Sequence, residues 1–238
     1  MQQLISLFLD FSCELVIFND KITIGGGVKM LANRLKILLA ERDLTIKDLM
    51  KATGLSRNSL SNMVNNPFAT IAIDNVDKLC NYLEVSPKDF YDYSGWRFEF
   101  NFNEIKENKV INPYNMATIT ITMVSGKTEF TFDLDVTALP HNRLKDQKSC
   151  DIYVNVGSKN ELDKHFVSLY ENNLSPLFKH QIEKRFKSMT MKTINLADKR
   201  GLLDDIKKNT INVAFEYNDG SHPVFQDNYV YDRNEKYL

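Results

Sequence analysis

The chain has 238 residues, 43% hydrophobic and 26% charged, which is enough apolar material for more than one core and excludes a largely disordered protein. Its formal net charge of -1 carries no overall nucleic-acid signature, so basic character has to be sought region by region. Cys13, Cys80 and Cys150 are odd in number and far apart, which excludes a disulfide framework and a CxxC metal pair and points to a reducing cytoplasm.

Residues 1 to 29 open with MQQLISLFLDFSCELVIF, an apolar run interrupted by Asp10 and Glu14 and without a basic start. It is too short and too broken for a membrane span, and it does not read as a signal peptide. The stretch closes on GGGVKM, whose codons can spell purine-rich sequence a few bases before an internal start codon. Translation is therefore expected to begin at Met30, with residues 1–29 a reading of leader sequence that contains a bacterial ribosome-binding site. The alternative is a strand or helix that packs on the body.

From Met30 the spacing of Leu31, Arg34, Leu35, Leu38 and Leu39 predicts an amphipathic first helix, with Asn33, Lys36 and Arg42 on its outer face. A second helix is predicted from an N-cap at Thr45, with Asp48 in its first turn, and it stops at Gly54. Glycine takes the left-handed conformation that a tight corner after a helix needs. Leu55 pins the corner, Ser56 caps the next helix, and Leu60, Met63 and Val64 form its apolar stripe. Arg57, Asn58, Ser61 and Asn62 must then point elsewhere. Arginine pairs bidentately with guanine and asparagine with adenine, so such a face suits a major groove. Helical hairpins that never touch DNA share the helix, glycine corner and helix order.

Pro67 ends the third helix. Val76, Leu79, Cys80 and Leu83 then predict a fourth helix over 73–83, and Ser86 with Pro87 starts a fifth that reaches Tyr91. Residues 31–66 hold six basic side chains against three acidic ones, while residues 67–95 hold two against five. This polarity presents one basic end, although charge runs are more commonly plain solvated faces.

Residues 31–93 resemble the Cro/C1-repressor (Xre) type of helix-turn-helix domain. Its pattern L-T-x-x-x-L-x-x-x-x-G-[VLI]-S-x-x-x-[LI]-S-x-[IM] is met by Leu44, Thr45, Leu49, Gly54, Leu55, Ser56, Leu60, Ser61 and Met63. The resemblance implies an all-α, five-helix, lambda-repressor-like DNA-binding domain over 30–93, with helix 57–65 in the major groove of double-stranded operator DNA. The DNA-binding candidates it carries over are Thr45, Ser56, Arg57, Asn58, Ser59, Ser61 and Asn62. Many members have glutamine where Ile46 stands, bracing a phosphate, as well as alanine at the place of Met50 and glutamate at that of Val64. Ile46 cannot brace a phosphate in that way.

Beyond Gly95 the period changes to two. Trp96, Phe98, Phe100 and Phe102 alternate with Arg97, Glu99 and Asn101. Two further runs, 117–123 and 130–136, flank a Ser125-Gly126 turn and predict a hairpin. Residues 150–156 predict another strand. Helical patterns follow at 159–170, 176–186 and 195–207, and strands at 211–217 and 224–231, with a hinge at Asn172-Asn173 and a turn at 218–221. The expectation is a second domain over 96–238 of class α+β, with a mixed or antiparallel sheet under two or three helices. The aromatics of the first strands are expected to form a core, with any exposed fraction open to a dimer or a small ligand.

This half shows no catalytic constellation. The Ala-Gly and Cys-Gly cleavage dipeptides of self-cleaving repressors are absent. Ser158 after Gly157 reads as a helix cap rather than a nucleophile, and His165 with Glu161 as a surface pair. His141, His165, His180 and His222 are scattered, with no HExxH and no glycine-rich phosphate loop. No enzyme activity, metal or cofactor is expected.

The reading is a cytoplasmic transcription regulator, a bacterial or prophage repressor, dimeric because one helix reads few base pairs. A protein or small-molecule effector would act on the second domain, and no membrane is involved. An antitoxin-like autoregulator and a DNA-targeted enzyme are the alternatives.

Overall fold

The computed structural model describes residues 29–106, 112–143, 150–158 and 163–234. The leader expected over residues 1–29 lies, through residue 28, outside them. The described chain is a helical region followed by a sheet-rich region with a mixed sheet.

The helical region opens with a strand, not a helix. Strand β1, Leu31–Asn33, pairs antiparallel with β2, Tyr91–Tyr93, so the first helix α1 runs only over Leu35–Glu41. Asn33 decides this: it is 3% exposed and its Oδ1 accepts from the Leu35 N–H at 3.1 Å. An asparagine side chain that takes a free amide of the first turn fixes the helix start there. Tyr91, expected in the last short helix, is claimed by β2 instead.

Three more helices follow with the expected bounds: α2 at Ile46–Thr53, α3 at Arg57–Asn65 and α4 at Ile73–Leu83. Helix α5, Pro87–Phe90, starts at Ser86, whose Oγ accepts from the Asp89 N–H at 3.3 Å. Leu35, Leu49, Leu60, Leu79 and Phe90 are fully buried in one small core with Met63 and Leu83. Burying such side chains contributes about 1.5–3 kcal/mol each against chain entropy, which makes this cluster the main support of the short helices.

The sheet has six strands in sequence order: β3 Arg97–Glu104, β4 Asn115–Ser125, β5 Thr128–Pro140, β6 Ile152–Gly157, β7 Thr210–Asn218 and β8 Pro223–Asp232. All neighbours are antiparallel except β6 and β7, which are parallel. A parallel pair needs a long crossover, and α6, Lys164–Asn172, with α7, Pro176–Lys199, supplies it. Both helices cover one face. Phe166 of α6 packs on Phe98, Phe132 and Tyr217, and Phe186 of α7 on Phe100 and Phe215. The opposite face carries Thr120, Thr122, Thr131 and Asp133 in cross-strand hydrogen bonds. Of the aromatics expected in this core, Phe98, Phe100 and Phe132 are buried, Trp96 and Phe102 are half-buried at its edge, and Phe130 is 43% exposed.

Two expectations for this region need correction. The separate helices over 176–186 and 195–207 are one helix that ends at Lys199, after which residues 201–205 are turns. No glycine or proline lies between Leu177 and Arg200, and the polar run hides its hydroxyls: Thr190 and Thr193, both buried, donate to the carbonyls of Phe186 and Met189 at 2.9 Å. Ser158 does not cap α6. The residue before that helix is Asp163, and the Ser158 Oγ is buried without a hydrogen-bond partner among the described residues. His165 packs against Trp96 and Phe130 with ring centroids 5.3 and 4.8 Å apart. The pairing expected with Glu161 lies outside the described residues.

Candidate nucleic-acid interface

The corner between α2 and α3 is built by three local devices. Thr45 closes a capping box: its N–H donates to Asp48 Oδ2 at 2.9 Å, its hydroxyl to the same oxygen at 2.6 Å, and Oγ1 accepts from the Asp48 N–H at 3.4 Å. The bond from the Thr45 hydroxyl, then that from its backbone, holds the Asp48 carboxyl below its usual range. Gly54 takes φ +70° and sends its N–H to the Met50 carbonyl at 3.1 Å. Ser56 then starts α3, its Oγ accepting from the Ser59 N–H at 3.2 Å.

Helix α3 is thereby divided cleanly. Leu60 and Met63 are buried and Val64 half-buried against the small core. Arg57, Asn58 and Asn62 are exposed and make no side-chain hydrogen bond or ion pair among the described residues. Ser61 is half-buried and its Oγ accepts from Asn65 Nδ2 at 3.2 Å, one turn on. Ser59 is half-buried beside its cap. Of the candidates, Asn58, Ser61 and Asn62 share one outward face, and Arg57 stands at its N-terminal end. Thr45 and Ser56 are exposed but their hydroxyls are engaged in capping, so at these two positions the structure shows helix ends rather than open contact groups.

Asn65 is a further residue of this face that the resemblance does not carry over. It lies three residues after Asn62 and seven after Asn58, is exposed, and extends the same amide-rich face. Helical spacing carried that signal, but its place at the helix end hid it. Ile46, where a phosphate-bracing glutamine was missing, is half-buried against the small core, so it packs the corner instead.

The two helices before α3 carry basic groups. Lys36, Lys47 and Lys51 are exposed and make no ion pair among the described residues, whereas Arg34 and Arg42 pair with Glu41 at 3.6 and 3.5 Å. Exposed lysines attract phosphates through long-range, salt-screened fields. Among the described residues no set of three His, Cys, Asp or Glu side chains is placed to hold a metal ion, and no helix is long and apolar enough to cross a membrane.

Residues 34–95 match the family model of the Cro/C1-type HTH DNA-binding domain. The match spans α1 through β2 and stops short of the sheet, which has no family match. No curated protein and no solved structure matches the chain.

Proposed function

We propose that the protein is a sequence-specific transcription regulator, a bacterial or prophage repressor, that lays α3 in the major groove of operator DNA as a homodimer. The observation that carries the reading is the outer face of α3: Arg57, Asn58 and Asn62 stand exposed and unengaged over a stripe anchored by Leu60 and Met63. Planar guanidinium and amide groups held on a rigid helix have the geometry for base edges, and a rigid mount limits what their ordering costs on binding. Ser61, Ser59 and Asn65 flank them. Thr45 and Ser56 place helix N-termini, whose free N–H groups suit phosphate oxygens.

The division of labour follows from charge and size. The basic flank around Lys36, Lys47 and Lys51 supplies attraction that is blind to sequence, and α3 supplies the choice. One α3 covers only a few base pairs, so a two-fold pair on a palindrome is the economical way to a unique site. The sheet-rich region is then the part that pairs copies or receives an effector, forming a second domain over 96–238 beside the DNA-binding domain of 30–93.

A gel shift of the full chain against the DNA upstream of its own gene tests this. Binding that withstands unrelated competitor duplex is expected, and Arg57→Ala and Asn58→Ala should each weaken it by about 1–3 kcal/mol. A wild-type protein that ignores this DNA and every genomic fragment defeats the proposal.

A further inference from the structure

The residues directly after α3 are held from outside the helix-turn-helix. Asn66, the last cap of α3, and Pro67 both offer their carbonyls to the buried Asn33 amide, at 3.3 and 2.9 Å. The Asn33 backbone N–H donates to the same Pro67 carbonyl at 2.7 Å. One asparagine thus binds the end of α3 through its side chain and its backbone. Such a group is costly to bury unless satisfied, and here it is satisfied fully.

One residue further on, Phe68 leaves the helical region altogether. It packs against the large core of the sheet-rich region, its ring 6.1 Å from that of Phe178 in the first turn of α7. Ala32, the neighbour of Asn33, is fully buried in the same large core. The corner between α6 and α7 adds a polar tie, the Ser175 hydroxyl donating to the Asp92 carboxylate on β2. Asn33, Phe68 and Asp92 therefore bring the tail of α3 and the β1–β2 ribbon onto the start of α7.

We propose that Phe68 and Asn33 are positioning residues for the recognition helix, and that the Phe68–Phe178 contact is the route by which the sheet-rich region sets the tilt of α3 on DNA. The proposal rests on the reading of α3 as the base-reading element. Its physical basis is leverage: α3 has nine residues, its N-terminal end carries Arg57 and Asn58, and its other end is fastened to a second core. A change at the α6–α7 corner, by an effector or a second copy, would tip the reading end while leaving the lysine flank in place. Specific affinity should then respond and nonspecific affinity should not.

The test uses the full chain with Phe68→Ala, Phe68→Leu and Ser175→Ala, all clear of the outer face of α3. Affinities are measured for a duplex selected by the wild type and for an unrelated duplex. Phe68→Ala is expected to lose about fivefold or more on the selected duplex, with the unrelated duplex and the salt slope unchanged, and Phe68→Leu to recover part of the loss. Equal affinity of folded Phe68→Ala and wild type for the selected duplex overturns the proposal. Hydrogen exchange without DNA covers the case in which Phe68→Ala folds poorly or the wild type selects no sequence. Ser175→Ala should speed exchange at residues 63–66, the end of α3 and its cap, more than in α4, and unchanged exchange there overturns the coupling. A wild type that selects no sequence, with exchange at 63–66 responding as expected, would defeat the DNA-reading role while leaving the mechanical link intact.

Discussion

Arg57 and Asn58 owe their availability to neighbours that do the structural work. Ser56 satisfies the Ser59 amide at the start of α3, so neither Arg57 nor Asn58 is spent on capping. Ile46 marks the converse: placed where a polar brace would stand, it goes half into the core. A different residue-scale device ties the β7–β8 turn to α6. His222 Nε2 lies 2.8 Å from Glu171 Oε1 and Nδ1 lies 3.3 Å from Asp219 Oδ2. The bond to Glu171 raises the imidazole above its ordinary 6.5, and the backbone N–H groups of His222 and Ser221 hold Asp219 down at about 2. A raised histidine stabilises the fold fully below its unfolded value and loses that contribution as pH rises through the folded value. A depressed aspartate stabilises above its unfolded 3.8 and loses the effect as pH falls toward about 2. Thermal unfolding of the full chain should therefore show this clasp at its strongest between about pH 4 and 6.5, and His222→Gln should flatten the alkaline fall. A variant with an unchanged pH profile shows that the clasp is mere surface decoration.

Among elements, those whose signals are local were readable in the sequence. Helices α2 and α3 keep their expected bounds because cap, glycine corner and apolar period agree within a few residues of each other, whereas α4 keeps its bounds on the apolar period alone, Ala72 offering no side-chain cap. Gly54 is the sharpest case, since a Cβ there meets nothing within 4 Å and only its φ of +70° argues for glycine. Gly54→Ala should accordingly cost about 1–2 kcal/mol in urea unfolding from left-handed strain alone, with α3 still formed. A cost near zero would mean that the corner relaxes out of that conformation. The misread elements depend on distant partners. Leu31 and Arg34 mimic helical spacing, yet β1 forms because Tyr91–Tyr93 lies ready to pair and because Asn33 is drawn to Pro67. In α7 the run from Lys187 to Lys192 looks solvated, and only burial by the sheet explains why Met189, Thr190 and Met191 are inside. The alternating strands were legible, whereas the parallel pairing of β6 with β7 depends on the crossover and has no mark in either strand.

At the scale of the molecule, the helical and sheet-rich regions keep separate cores but share a seam at Ala32, Phe68 and Phe178. No period or motif announces that seam, because Phe68 sits in a loop where an apolar residue means little until its partner is known. The seam places the larger region in contact with the chain directly after α3. The central claim is that the outer face of α3 chooses sequence, and selection from random duplexes by the full chain tests it most directly. The wild type should enrich a two-fold symmetric site, and Arg57→Ala and Asn58→Ala should each relax preference at matching positions in both half-sites. No enrichment by the wild type, or the same enriched sequence from wild type and both variants, would contradict the account.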